Sequence, residues 1–322
     1  MQPKGKIGGK FMMIALVFFS LPQGSGEFPI TADSYHQCDP TIYGDIVVWT
    51  DYRNETPDIY GFNLATKEEF QITTNLADQT NPAVYGDIVV WADYRNGNPD
   101  IYGFNLATKE EFQITTDKGY QFNPAVYGDI VVWEDHRNGN PDIYGFNLAT
   151  KEEFQITTDP KHQYYPSIYG NIVVWEDWRN GNFDIYGFDL SKKEEFQLTA
   201  NPREQRHPAI YGHIVVWDDD TNIHYDICGF DLRKKKEFRI ITSSTDQYYP
   251  KIYNNIVVWE EKKDDTSDIC DFDISEILSV IPTRTFSKIF LIILFVVLAV
   301  IVLVSTIILV EERMGERMME ER

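Results

Sequence analysis

The chain has 322 residues, is rich in Tyr, Phe and Trp, and carries a formal net charge of −21. That charge excludes nucleic acid as a partner, because neutralising phosphates needs a basic surface. Three cysteines (Cys38, Cys228 and Cys270) are too few, and odd in number, for a disulfide framework.

The N-terminus carries Lys4, Lys6 and Lys10 around the start of an apolar run from Phe11 to Leu21. The run is too short to span a bilayer. Small residues, Gly24-Ser25-Gly26, follow it. This order is that of a secretory signal peptide over residues 1–26, cut near Gly26; an uncleaved anchor is the alternative. Either reading exports the segment that follows it.

From there the chain is a tandem repeat. Trp49, Trp91, Trp133, Trp175, Trp217 and Trp259 recur at a step of 42 residues, with no insertion. A fixed period of this length marks a repeat architecture. Within one unit three runs are rich in β-branched and aromatic residues: Ile88-Val-Val-Trp91, Ile101-Tyr-Gly-Phe104 and Phe112-Gln-Ile-Thr115. Asn96-Gly97 is a hairpin signal, and Ala83-Val-Tyr85 supplies a shorter strand before Gly86. Each unit therefore holds four short antiparallel strands, A to D. Six such units make an all-β, six-bladed β-propeller over residues 27–275. A stack of βα units is excluded, because no helical pattern intervenes.

The last unit has strands A, B and C, but Ser275 onward does not supply a fourth. The missing piece stands at the other end, where Glu27-Phe-Pro-Ile-Thr-Ala32 reads like Glu111-Phe-Gln-Ile-Thr-Thr116. The N-terminal strand is expected to complete blade six and close the ring, removing two open sheet edges. A linker (276–288) then leads to Ile289–Val310, 22 residues without a charge. At 1.5 Å per residue these cover about 33 Å, enough for one transmembrane helix. The tail, 311–322, carries Arg313, Arg317 and Arg322, but Arg284 and Lys288 flank the other side, so charge alone does not orient the span. With a signal peptide in front, the propeller is expected outside a cell membrane crossed once, with the tail in the cytoplasm.

The run Trp175-Glu-Asp-Trp-Arg-Asn-Gly-Asn-Phe-Asp-Ile-Tyr-Gly-Phe-Asp-Leu190, followed by Glu195-Phe-Gln-Leu-Thr199, resembles the repeat of TolB-like six-bladed propellers of the prokaryotic, archaeal cell-surface kind. The resemblance covers about residues 27–275, and blade six departs most, with Lys262-Lys263-Asp264-Asp265 in place of the Arg-Asn-Gly turn. A YWTD-type receptor propeller ranks behind it, because only Trp49-Thr50-Asp51 carries that threonine. The resemblance implies a fold and a habit of binding peptides or proteins, not an activity.

The D–A and B–C connections share one face of the ring and vary most, which makes that face the expected binding surface, distal to the membrane. At the start of strand A the residue pairs differ between blades: Cys38-Asp39, Thr80-Asn81, Phe122-Asn123, Tyr164-Tyr165, Arg206-His207 and Tyr248-Tyr249. Aromatics with an arginine are the composition of interface anchors. Phe122, Tyr164, Tyr165, Arg206, His207, Tyr248 and Tyr249 are therefore the candidate ligand-binding residues; ordinary packing at a propeller mouth is the competing reading. The recurrent Gln37, Gln79, Gln121, Gln163, Gln205 and Gln247 are expected to satisfy loop backbone groups. Asp51, Asp93, Asp135 and Asp177, each followed two residues later by Arg, mimic a calcium loop; the Arg contradicts calcium and points to an ion pair bracing the B–C hairpin.

No histidine pair has metal-ligand spacing and no Gly-x-Ser-x-Gly turn occurs, so no catalytic set, metal or cofactor is expected. Asn54-Glu-Thr56 is a formal glycosylation sequon, with Pro57 beside it. Cys228 and Cys270 stand at equivalent places in neighbouring repeats and are read as small buried residues. The function these features support is a membrane-anchored binding or scaffolding module for a protein, peptide or glycan. A structural surface-layer or adhesion component is the alternative, and a propeller-face lyase or hydrolase stands third.

Overall fold

The computed structural model describes residues 30–31, 34–220, 224–240, 244–263 and 266–281. Blade one has strands A (Gln37–Tyr43), B (Ile46–Asp51), C (Asp58–Asn63) and D (Glu68–Gln71), hydrogen-bonded in the order A-B-C-D. Blades two to five repeat this sheet in the same order. Blade five runs Gln205–Tyr211, Ile214–Asp220, Tyr225–Asp231 and Lys236–Arg239. Blade six has three strands among the described residues: Gln247–Tyr253, Ile256–Lys263 and Thr266–Asp273.

Strand B forms because Ile-Val-Val-Trp is β-branched and aromatic throughout, the composition of a strand buried on both faces. Trp91, Trp133, Trp175 and Trp217 are fully buried. The tryptophans of blades two to six each belong to a cluster drawn from two blades. Trp91 packs in one cluster with Val48, Ile59 and Ile72 of blade one and with Val84, Val89 and Tyr102 of its own blade. The core is thus a series of layers between neighbouring blades. In blades one to five the indole N–H also donates to the Asp two residues on, as Trp91 Nε1 does to Asp93 at 2.9 Å, whereas Trp259 Nε1 of blade six has no partner among the described residues.

Strand C carries a glycine at its centre for a steric reason. A Cβ on Gly103 would lie 2.6 Å from the ring of Phe112 in strand D, and Gly61, Gly145, Gly187 and Gly229 are in the same position against Phe70, Phe154, Phe196 and Phe238. Blade six has Asp271 there instead.

The expected closing strand lies outside the described residues except for Ile30, which packs against the Val47, Trp49, Tyr60 and Phe62 cluster of blade one. Ile72 joins Val89 and Trp91 in the equivalent cluster of blade two, so Ile30 keeps the repeat register. Blade six stands between blades five and one: Lys251 lies in the fields of both Asp39 and Asp218. From blade one to blade six, strand A of each blade runs beside strand A of the next. At their A–B turn ends Tyr43, Tyr85, Tyr127, Tyr169, Tyr211 and Tyr253 form a ladder, with successive ring centroids 4.4 to 5.0 Å apart.

The segment expected to be plain linker begins with a short helix, α1 (Ser275–Val280), capped by Asp273, which accepts the Ser275 backbone N–H at 2.8 Å. Ile277 and Leu278 pack on the core shared by blades five and six. The chain separates into two compact units, 1–278 and 279–322, and the propeller is the first. Among the described residues no helix is long and apolar enough to cross a membrane. The expected signal peptide and the expected span at 289–310 lie outside them.

Candidate functional site

Each strand A is interrupted by a β-bulge. In blade four Tyr164 pairs with Glu176 and Ser167 with Val174, so Tyr165 and Pro166 together oppose Trp175. The first residue of the bulge is left-handed in all six blades: Asp39, Asn81, Asn123, Tyr165, His207 and Tyr249 have φ between 49° and 55°. Asp and Asn tolerate this region; a tyrosine there costs about 1–2 kcal/mol. Blades one to three use the tolerant residues, and blades four to six carry Tyr165, His207 and Tyr249.

The bulge residues meet a second series from strand B: Thr50, Ala92, Glu134, Glu176, Asp218 and Glu260. At Thr50 and Glu176 the side chain accepts the bulge N–H of the next blade, which Ala92 cannot do. Asn81 N–H donates to Thr50 Oγ1 at 3.2 Å, and His207 N–H donates to Glu176 at 3.0 Å. Within a blade the two side chains also pair: Asn123 Nδ2 donates to Glu134 at 3.1 Å, and His207 Nδ1 lies 2.9 Å from Asp218. Glu134, Glu176 and Asp218 are buried. Burial pushes the Glu176 carboxyl up to about 7, against the charge and N–H of His207 and the charge of Arg206. Burial likewise raises Asp218, with His207 opposing.

The candidate residues from the sequence divide into two groups. Tyr165 stacks edge-on to His207 at 5.0 Å, His207 meets Tyr249 at 4.2 Å, and Tyr249 meets Tyr248 at 6.2 Å. Tyr164 packs against Phe183, and the Arg206 guanidinium lies 4.2 Å above that same ring while its Nε donates to Glu204 at 2.8 Å. Six of the seven candidates thus form one continuous surface. Phe122 stands apart, in a cluster with Tyr94, Tyr120 and His136. A cleft of ≈ 230 Å³ opens between blades three, four and five, lined by Asn123, Glu134, Tyr165, Glu176 and Arg206 among others. Tyr165 and Tyr249 remain 41% and 52% exposed, so their rings face solvent above the buried carboxylates.

Lys251 follows the Pro of strand A, where the other blades carry Thr41, Ala83, Ala125, Ser167 and Ala209. Its side chain is exposed. Desolvation by the surrounding protein lowers its pKa, with Asp39 and Asp218 acting against the shift.

No family profile matches the chain, and no curated protein matches it in sequence. Solved structures do resemble it. TolB from Acinetobacter baumannii superposes with a TM-score of 0.56 at 16% identity, over 69% of this chain and 58% of that one. The chain therefore spans little more than half of that protein's length. A TolB-type protein from Agrobacterium tumefaciens gives 0.56 at 16% identity, covering 67% of this chain and 84% of that one. An oligogalacturonate lyase in complex with manganese gives 0.59 at 14% identity, covering 75% and 78%. The fold is that of the TolB-like six-bladed propellers.

The remaining sequence candidates are hardware of this propeller. Gln121, Gln163 and Gln205 are buried, and each amide donates at 2.7 Å to the backbone carbonyl two residues before it. In blades one to four the hairpin Arg grips the Asp with two bonds: Arg95 Nε and Nη2 reach the two oxygens of Asp93 at 2.9 and 2.7 Å. The same guanidinium lies 4.2 Å over Tyr102 and bonds Glu111 at 2.5 Å. That is the expected brace, and its cation leaves no place for calcium. Asn54 donates its amide to Asp58 at 2.6 Å, so a sugar on that nitrogen would break the hairpin. Cys228 is buried as expected; Cys270 is only half-buried and donates to Glu261 at 3.3 Å.

The carboxylates Glu134, Glu176 and Asp218 and the left-handed bulge were not singled out in the sequence. The signal was present: the residue after each repeat Trp runs Thr, Ala, Glu, Glu, Asp, Glu, varying in step with the pairs at the start of strand A.

Proposed function

We propose that this chain is a membrane-anchored, extracytoplasmic propeller that captures a protein or peptide partner at its channel mouth, through a positively charged group of that partner. The single observation that carries the reading is the bulge surface of blades four to six. Tyr165 and Tyr249 occupy a backbone conformation that disfavours tyrosine, and with His207 they stand beside Glu176 and Asp218. Backbone strain of this kind persists where the surroundings impose it, and it clusters at functional sites.

The chemistry follows from the groups present. A lysine or arginine side chain placed between the two exposed tyrosine rings meets their π-faces and the carboxylates beneath. A cation over such a ring contributes about 0.5–2 kcal/mol. Arg206 does not fill this role, because Glu204 and Phe183 already hold it. The net charge of −21 adds long-range attraction for a basic partner. The signal-like N-terminus and the apolar segment 289–310 support the anchoring, with the C-terminal segment starting beside the C–D turn of blade five, where Lys234 Nζ donates to the Leu278 carbonyl at 2.5 Å.

The test is capture of synthetic peptides by the detergent-solubilised full chain. Peptides carrying Lys or Arg should be retained over Glu-bearing peptides of the same length, and Tyr165→Ala with Tyr249→Ala should abolish the preference. Equal retention of both charges, a preference for acidic glycans, or indifference to the double substitution would overturn the reading.

A further inference from the structure

Blade five breaks the hairpin brace of its sisters, and the way it breaks leaves a set of metal ligands. In blades one to four one guanidinium occupies a pocket with three walls: an Asp ending strand B, a Tyr of strand C and a Glu of strand D. Arg179 shows the arrangement, with Nη2 2.6 Å from Asp177, Nη1 2.5 Å from Glu195 and Cζ 4.1 Å above Tyr186. In blade five the three walls are Asp219, Cys228 and Glu237, and the residue two after the Asp is Thr221, not Arg. The cation is deleted, and the neutral ring is replaced by a thiol.

The three side chains converge. One carboxylate oxygen of Asp219, the Sγ of Cys228 and one carboxylate oxygen of Glu237 all lie within 4.8 Å of one another. An independent observation points to a ligand there. Asp219 is 2% exposed, and its Oδ1 has no hydrogen-bond partner. Its other oxygen receives the Trp217 indole N–H at 3.3 Å. In blade four the equivalent Oδ1 of Asp177 takes two donors, the backbone N–H and the Nε of Arg179, each at 2.9 Å. A buried carboxylate oxygen of this kind is costly unless a cation meets it.

Arg239 of strand D acts electrostatically on both Asp219 and Cys228. It is directed to Asp226, at 3.6 Å, and interacts with the Cys228 thiol, without bonding the Asp219 oxygen. Blade six is an internal contrast: Cys270 stands at the same place but donates to Glu261, and no third ligand joins them among the described residues.

We propose that Asp219, Cys228 and Glu237 form a binding site for a divalent transition-metal ion of the zinc class, in the place that a guanidinium fills in blades one to four. One thiolate and two carboxylates suit a borderline-soft ion. Water supplies a fourth position on the side of Glu237, which is exposed. On binding, the Cys228 S–H bond breaks, its proton passes to solvent, and the sulfur lone pair forms the metal–sulfur bond. The ion does for blade five what arginine does for its neighbours, tying strands B, C and D at the hairpin end.

The test is a Co²⁺ titration of the full chain in detergent under reducing conditions, followed by the sulfur-to-cobalt charge-transfer band in the near ultraviolet. The expected result is a band saturating at one Co²⁺ per chain, displaced by Zn²⁺ and absent in Cys228→Ser and in Asp219→Asn. The pair Cys38→Ser with Cys270→Ser should retain it. No band in the wild type, or a band that survives Cys228→Ser or Asp219→Asn, would overturn the proposal.

Discussion

Glu176 offers a stability test whose sign is set by the structure. Burial raises its carboxyl from 4.5 to about 7. Between those values the folded protein holds a proton that the unfolded chain has released. The Glu176 contribution is therefore fully present below about pH 4.5 and is lost as pH rises through about 7. At 1.36 kcal/mol per pKa unit, ionising Glu176 in the folded state costs about 3 kcal/mol. Glu176→Gln removes the titration but keeps an oxygen to accept the His207 N–H. The variant should exceed the wild type by about 3 kcal/mol near pH 8 and match it near pH 4. Asp219 also has a raised pKa but titrates alike in both proteins; Asp218 repels the Glu176 charge, so removing that charge also eases ionisation of Asp218 and acts in the same direction. Urea unfolding of both proteins at the two pH values measures it. A difference independent of pH, or a variant less stable near pH 8, would refute the argument that burial dominates at Glu176.

Two further outcomes follow from the bulge and the brace. Replacing Tyr165 or Tyr249 by Asn puts a residue that accepts the left-handed region at a strained site; each change should stabilise the protein by about 1 kcal/mol while weakening capture of the Lys-bearing peptide. If stability and capture fall together, the bulge is not where strain is held. Arg95→Met should leave the fully buried Asp93 carboxylate without its cation and cost about 2 kcal/mol, below the figure for a deep pair because Arg95 is 20% exposed. Urea unfolding checks this, and a calcium-induced gain in the wild type would refute the brace.

The blade count, the strand order and the hairpin ion pairs were legible in the sequence because each depends on neighbours close along the chain. Asn96-Gly97 sets a turn, Asp93 and Arg95 are two residues apart, and Ile-Val-Val-Trp carries its own strand signal. The pairs at the start of strand A stand out in the sequence because they break the repeat. Their acidic surroundings do not. Glu176 meets the backbone of His207, 31 residues away in the next blade, and nothing in the local pattern marks that meeting.

The sequence by itself determined a ring of six near-equal sheets, since a fixed period with one strand pattern admits little else. Only the tertiary structure decided which side chains share a pocket. It placed Tyr165, His207 and Tyr249 in one left-handed bulge series, because an extra residue opposite each Trp turns the strand. It also brought Asp219, Cys228 and Glu237 together from three strands. Antiparallel register sets Cys228 against Trp217 and Phe238 against Gly229, and so draws residues of separate strands to one hairpin end.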